Sequence, residues 1–297
     1  MFDRLGEGGY VIVTPVRNEA GHIERTLESV TRQTIKPRKW IIVDDGSSDT
    51  TCTIVEKYRG QFDWIDLLKR EDRGFRQAGS GVVDAFNFGL DRLQDVAWNY
   101  IIKLDGDLEL PENYFEILLG KFRERPELGI ASGVYLELRD SGWTEIPMPS
   151  YHAAGASKIY RRKTFESIGG LVSSQGWDTV DEIKAMYRGW VTTHFREARF
   201  LHLKDEGSAL GRMYTNRFHG RIYYLTGGGL LFFLAKTIQR MVFGKPPVIA
   251  GVMLAAGYLQ AASSGRQRLV SAEERSFYRR LLNDRLKGPL LRLWKRG

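Results

Sequence analysis

The sequence predicts an α/β fold, a mainly parallel sheet flanked by helices, followed by a helical extension that is both basic and apolar. Three observations carry this expectation. Short apolar runs alternate with amphipathic helical patterns over residues 10–124. Two of the runs are nearly continuous Ile and Val, as in strands covered on both faces. The charge is divided: residues 1–205 hold 28 Lys and Arg against 32 Asp and Glu, and residues 206–297 hold 16 against 4. The 297 residues therefore read as two parts, a main domain over 1–205 and a helical region over 206–297.

The first run is YVIV (10–13), and after it His22 to Gln33 places Ile23, Leu27 and Val30 on one helical face. The second run is WIIV (40–43), followed by VDDGSSD, in which Asp-Gly makes a turn and Ser47 or Ser48 caps a helix starting near Asp49. WIDLL (64–68) is the third, and Ala78 to Leu93 then aligns Val82, Phe86, Leu90 and Leu93. YIIKL (100–104) is the fourth. A further helix opens at Pro111, with Phe115, Leu118, Leu119 and Phe122 on its stripe and Pro126 beyond it. Strand and helix in alternation make a parallel sheet. Such sheets bind ligands at the carboxyl ends of their strands.

The residues at those ends are polar. Thr14-Pro15-Val16-Arg17-Asn18-Glu19 follows the first strand, Asp44-Asp45-Gly46-Ser47-Ser48-Asp49 the second, Lys69 to Gly74 the third, and Asp105-Gly106-Asp107 the fourth. Neither GxGxxG nor GxxxxGK[ST] occurs, which argues against a dinucleotide fold and a P-loop. Carboxylates such as Asp44 and Asp45 accept hydrogen bonds from a base edge or ribose. Asp105 and Asp107, one small residue apart, can both reach one hard cation; Mg²⁺ and Mn²⁺ prefer oxygen ligands and often complete their shells with water and phosphates. A surface Asp-Gly turn is the plainer reading of either motif alone.

Taken in order, TPVRNE, VDDGSSD, RGFRQAGSGVVDAFNFG and KLDGDLEL resemble the nucleotide-sugar-binding half of inverting family 2 glycosyltransferases of the GT-A fold, a Rossmann-like arrangement. GASKIYRRKTFESIGGL (155–171) resembles that family's acceptor-side segment, and GWDTVDEIKAMYRGW (176–190) the segment carrying the catalytic base. The likeness spans about residues 8–205. It implies that Thr14, Pro15, Arg17 and Glu19 form the first nucleotide-binding loop, that Asp44 and Asp45 meet base and ribose, and that Arg73, Arg76 and Gly79 cover ribose and diphosphate. Lys103 and Gly106 join this donor-binding set beside Asp105. Asp105 and Asp107 match the metal-binding DxD, and His202 falls where many such folds place a histidine near the metal; a structural strand-end histidine is the other reading. The family's Glu-Asp pair corresponds to Trp177-Asp178, so Asp178 is the favoured base. Asp181 and Glu182, three residues on, are the alternatives, and Asp178 also suits a helix cap. Burial beside Trp177 would raise the Asp178 pKa, as suits a base near neutral pH.

The resemblance implies Mn²⁺ or Mg²⁺, a nucleotide-diphosphate sugar donor (a UDP-sugar favoured), and a single displacement with inversion. The acceptor it implies is a lipid-linked or oligosaccharide hydroxyl. No Ser, Cys or His arrangement for a covalent intermediate is visible. The Gln-x-x-Arg-Trp signature of processive relatives is absent, which favours single addition.

The basic region carries two uncharged apolar stretches, Ile222 to Ala235 and Pro246 to Gly265. Basic plus apolar suits an anionic membrane surface better than nucleic acid, which needs no such aliphatic area. Both stretches are short or interrupted for a span, so interfacial helices or a hairpin are expected. A single cysteine, Cys52, permits no internal disulfide, and MFDRLGEGGY lacks a signal-peptide core. The expected setting is cytoplasmic, peripheral on the inner membrane face. Two other functions share parts of the pattern. Sugar-nucleotide synthesis would want a Gly-rich loop where TPVRNE stands. A non-catalytic nucleotide-sugar binder would not need the acids at 178 and 181.

Overall fold

In the computed structural model, residues 8–72, 74, 79–204 and 212–294 are described. The chain forms two compact units, 1–205 and 206–297.

The first unit is built on a nine-stranded sheet. Its strands are β1 (Tyr10–Val16), β2 (Lys39–Asp44), β3 (Ile65–Lys69), β4 (Tyr100–Leu104), β5 (Leu108–Glu109), β6 (Leu128–Arg139), β7 (Gly142–Glu145), β8 (Ser157–Arg161) and β9 (Val191–His202). They run in the order β3-β2-β1-β4-β8-β6-β9-β5, with β7 paired to β6. The four strands expected from the apolar runs form the parallel half, and Val16, Asp44 and Lys69 lie level at its carboxyl edge. Beyond β4 the sheet is mixed. β8 enters antiparallel to both β4 and β6, and β9 lies parallel to β6.

Helices α1 (Ile23–Thr31), α2 (Thr51–Arg59), α3 (Ser80–Leu90), α4 (Tyr114–Glu124), α5 (Arg162–Ser167) and α6 (Trp177–Tyr187) cover the sheet. Alternate strand residues face opposite sides. Ile12, Ile42 and Ile102 pack with Ile23, Leu27 and Phe115 on one side, and Val11, Val13, Ile41 and Ile101 pack with Val83, Phe86 and Phe165 on the other. A Cβ on Gly89 would stand 2.7 Å from Val13 Cγ1 and 2.8 Å from Val43 Cγ2, so a glycine lets α3 lie flat on β1 and β2.

Two helix starts and one helix face differ from expectation, each for a local reason. α4 starts at Tyr114, not Pro111, because Leu108 and Glu109 remain extended to pair with β9 and the Pro111 carbonyl is taken by Gln33 Nε2 at 2.7 Å. α2 starts at Thr51: the Asp49 carboxylate accepts from the backbone of both Thr51 and Ala20 and so holds a turn first. α3 buries Val83 and Phe86 while Val82 is half-buried, the rotation that Gly89 permits.

The second unit holds α7 (Arg212–Leu225), α8 (Leu230–Phe243), α9 (Ile249–Ser263) and α10 (Ala272–Trp294). α7 and α9 touch backbone to backbone. A Cβ on Gly220 would meet the Leu254 carbonyl at 1.9 Å, and one on Gly257 the Arg217 carbonyl at 1.9 Å. Among the described residues no helix is long and apolar enough to cross a membrane.

Candidate active site

The first two loops of the parallel edge are stitched together. Asn18, at a left-handed φ of 55°, accepts the Ser48 amide on Oδ1 at 2.8 Å, and its own amide donates to Ser47 Oγ at 2.9 Å. The Glu19 amide donates to Thr51 Oγ1 at 2.8 Å. Arg17 donates to the Asp45 carbonyl and, at 2.7 Å, to Asp72. Asp45 accepts from Arg70 Nη1 at 2.8 Å, and the Asp44 carboxylate accepts the Ser47 amide at 3.2–3.3 Å. Gly46 turns at φ 82°, where a Cβ would stand 2.7 Å from Asp72 Cα. Thr14 is buried and accepts from Trp40 Nε1 at 2.8 Å, a packing role; Pro15 is half-buried beside it.

Gly79 caps α3 at φ 84° against Gln175. Arg73 and Arg76 lie outside the described residues.

The DGD turn leaves β4 at this edge. Asp107 is buried and Asp105 half-buried. Burial first, then the charge of Asp105, pushes the Asp107 carboxyl above its ordinary value. Lys103 Nζ meets Asp105 at 2.5 Å and donates to the Gly155 carbonyl at 2.9 Å. Gly106 has no room for a side chain: a Cβ would stand 2.8 Å from Val16 Cγ1. His202 Nε2 is 3.7 Å from Asp107, and its buried Nδ1, 3.7 Å from Glu137, has no hydrogen-bond partner. Glu19 is paired with Lys204. Among the described residues no group of three or more His, Cys, Asp or Glu side chains is arranged to hold a metal ion. The Asp105–Asp107 pair nevertheless fits a hard cation that draws its other ligands from water and phosphate.

The acidic segment on α6 divides sharply. Asp181 and Glu182 are buried. Both Asp181 oxygens accept from Lys158 Nζ at 3.0 Å, and Oδ2 also accepts from Tyr160 OH. Glu182 accepts from the Ala153 amide at 2.8 Å and lies 3.0 Å from both Lys158 Nζ and His152 Nδ1. Asp178, in the first turn of α6, is half-buried, not fully buried as expected, and a Cβ on Gly155 would stand 3.5 Å from its Cβ and 3.6 Å from its Oδ2. Its backbone carbonyl accepts from Lys158 Nζ at 2.5 Å.

The resemblance placed Lys103 beside Asp105, but residue spacing did not point to Lys158 as its cross-strand partner. Lys103 and Lys158 sit directly opposite on β4 and β8. Like charges so placed repel. Here both ammonium groups lie over the Trp177 ring, 5.2 Å and 5.6 Å from its centroid. Lys103 then balances Asp105, and Lys158 balances Asp181 and Glu182. The signal available was a lysine inside each apolar strand, in YIIKL and SKIY, since a buried lysine requires an acid partner. Lys204, Arg70 and Glu137 carried no such mark.

Residues 11–176 match the family model of Glycosyl transferase family 2. The chain belongs to this family. Over 125 residues this family 2 chain is 27% identical to the poly-β-1,6-N-acetyl-D-glucosamine synthase of Staphylococcus aureus (strain MSSA476), covering 42% of this chain and 28% of that protein. The chain thus matches under a third of the length of that curated relative. Among solved structures it is similar to the mannosyltransferase PcManGT from Pyrobaculum calidifontis in complex with GDP-Man and Mn²⁺, at TM-score 0.56 and 16% identity, covering 97% of this chain and 83% of that one. It is also similar to S. aureus TarS 1-349, at TM-score 0.55 and 14% identity, covering 86% and 72%. These likenesses establish the GT-A fold for this family 2 glycosyltransferase, with a helical C-terminal region.

The lone thiol at the site edge is chemically quiet. Burial, then the negative charge of Asp44, raises Cys52 to about 11, so it is a poor nucleophile near neutral pH.

Proposed function

We propose that this protein transfers a sugar from a nucleoside-diphosphate donor to an acceptor hydroxyl, in one displacement with inversion, using Asp178 as base and Asp105 with Asp107 as the seat of a divalent cation. The observation that carries the reading is the link from Asp105 through Lys103 to Gly155, against which Asp178 packs. It supports leaving group and base on one rim.

Asp178 is favoured over its neighbours because Asp181 and Glu182 are sealed in and occupied by Lys158, Tyr160, His152 and Ala153. A base must reach the proton it removes. Asp44, Asp45 and Arg17 would face the nucleoside, and Lys103 would add positive charge near the diphosphate. Asp105 and Asp107 would hold a divalent cation, which would supply positive charge for the departing diphosphate. Asp178 would take the hydroxyl proton from the face opposite the leaving group, and the transition state would carry oxocarbenium character. The PcManGT complex with GDP-Man and Mn²⁺ supports a metal and a nucleotide sugar here. The synthase relative supports a saccharide acceptor. The basic helical unit supports an acceptor presented on a lipid, at the cytoplasmic membrane face.

The test is a panel of UDP- and GDP-sugars scored for thermal stabilisation with Mn²⁺, then turnover with the best donor. Asp105→Ala is expected to lose metal-dependent donor stabilisation. Asp178→Asn is expected to keep it and lose transfer. Normal transfer by Asp178→Asn would remove the base from the proposal.

A further inference from the structure

α8 packs with one face and leaves the other bare. Phe233 and Thr237 are buried, and Phe233 stacks on Tyr258 of α9 at 4.3 Å. On the opposite side Leu231, Leu234, Ile238 and Val242 are 63%, 51%, 61% and 60% exposed. Steps of three, four and four residues put all four on one stripe. The stripe runs into the tight α8–α9 hairpin, where the Val248 amide donates to the Met241 carbonyl at 2.8 Å. At that tip Phe243 is 81% exposed and Val248 is exposed as well. A single exposed leucine needs no explanation; a continuous stripe of this length does.

The charge around the stripe selects the occupant. From Arg212 to Ala272, which includes all of α7, α8 and α9, there is no Asp or Glu and there are eight Lys and Arg. Cations crowd α8 itself. The Arg285 guanidinium lies 5.6 Å over the Phe232 ring, and Lys236 is pushed down to about 8 by burial and by the charges of Arg240 and Arg285. A second copy of the chain would bring an equally basic surface against this one. An anionic lipid surface offers both apolar depth and opposite charge. At 14 residues α8 is about 21 Å long, short of the roughly 30 Å of a bilayer core, so it lies along the surface.

We propose that the stripe Leu231–Leu234–Ile238–Val242, extended by Phe243 at the hairpin tip, is the face by which this protein docks on an anionic membrane. The role of that docking, delivering the sugar-transfer site to a lipid-borne acceptor, rests on the proposed function; the docking itself does not.

The experiment is flotation of the full-length protein with phosphatidylcholine vesicles, with and without phosphatidylglycerol. Wild type is expected to float with the anionic vesicles and not with the zwitterionic ones. Each basic residue engaged is worth about fivefold in partitioning, so added salt should release the protein. Leu234→Asp with Ile238→Asp should weaken flotation about a hundredfold or more, since two charges then enter the apolar face. Both positions are exposed, so circular dichroism and donor-dependent thermal stabilisation should match wild type. Failure of wild type to bind anionic vesicles would overturn the inference, as would undiminished binding by the double variant. A wild-type dimer that the double variant converts to monomer would assign the face to self-association instead. Absence of donor stabilisation in both proteins would count against the sugar-transfer reading alone, because flotation requires no donor.

Discussion

Replacing Asp181 by Asn and Asp178 by Asn separates a structural acid from a proposed catalytic one, although the two lie one helical turn apart. Asp181 gives both oxygens to the buried Lys158 ammonium at 3.0 Å and accepts from Tyr160. Removing one partner of a buried ion pair costs about 3–5 kcal/mol. Glu182 remains 3.0 Å from Lys158, which keeps the cost of Asp181→Asn near the lower bound, about 3 kcal/mol. For a unit of this size each kcal/mol moves Tm by about 2–4 °C, so a loss of about 6–12 °C is expected by calorimetry. Asp178→Asn removes only a half-buried charge from the first turn of a helix, about 0.3–1 kcal/mol, or at most about 4 °C. In transfer assays its kcat should fall by about 10²–10⁴, with donor affinity retained. The reasoning is refuted if Asp181→Asn keeps its Tm and loses turnover while Asp178→Asn stays active.

The same network sets a pH dependence. His152, lowered by burial but raised on balance by Glu182, adds stability below its unfolded value that is lost as pH rises past its folded one. Tm should therefore fall as pH rises above the ordinary His152 value of 6.5, and the fall should shrink in His152→Asn; equal slopes in the two proteins would contradict the assignment. Gly106→Ala places a Cβ 2.8 Å from Val16 Cγ1, so a loss of about 1–3 kcal/mol is expected in urea unfolding, with a raised Mn²⁺ requirement for donor binding. Chelation by EDTA should abolish donor-dependent stabilisation and added Mn²⁺ restore it; persistence after chelation would argue against the carboxylate pair as a cation seat.

Period alone told where much of the first unit's framework lies. YVIV, WIIV and YIIKL became interior parallel strands because runs buried on both faces belong inside a sheet, while WIDLL became the half-buried edge strand β3, and Ile23, Leu27 and Val30 fell on one buried face because helical spacing admits little else. The order of the polar loops after those strands likewise marked the rim, and the charge division marked the basic unit. The mixed half of the sheet was not legible: β6 and β9 are twelve-residue strands whose partners are decided by pairing across long separations. Nor was the sorting of the acids. The family likeness favoured Asp178 over Asp181 and Glu182, but only the packing of β8 against α6 buries those two against Lys158 and leaves Asp178 half-buried near Gly155. Sequence fixes which groups are ionisable and how far apart they lie along the chain. Which of them loses water and which meets an opposite charge depends on neighbours brought from elsewhere in the chain, and those two quantities decide what an acid can do.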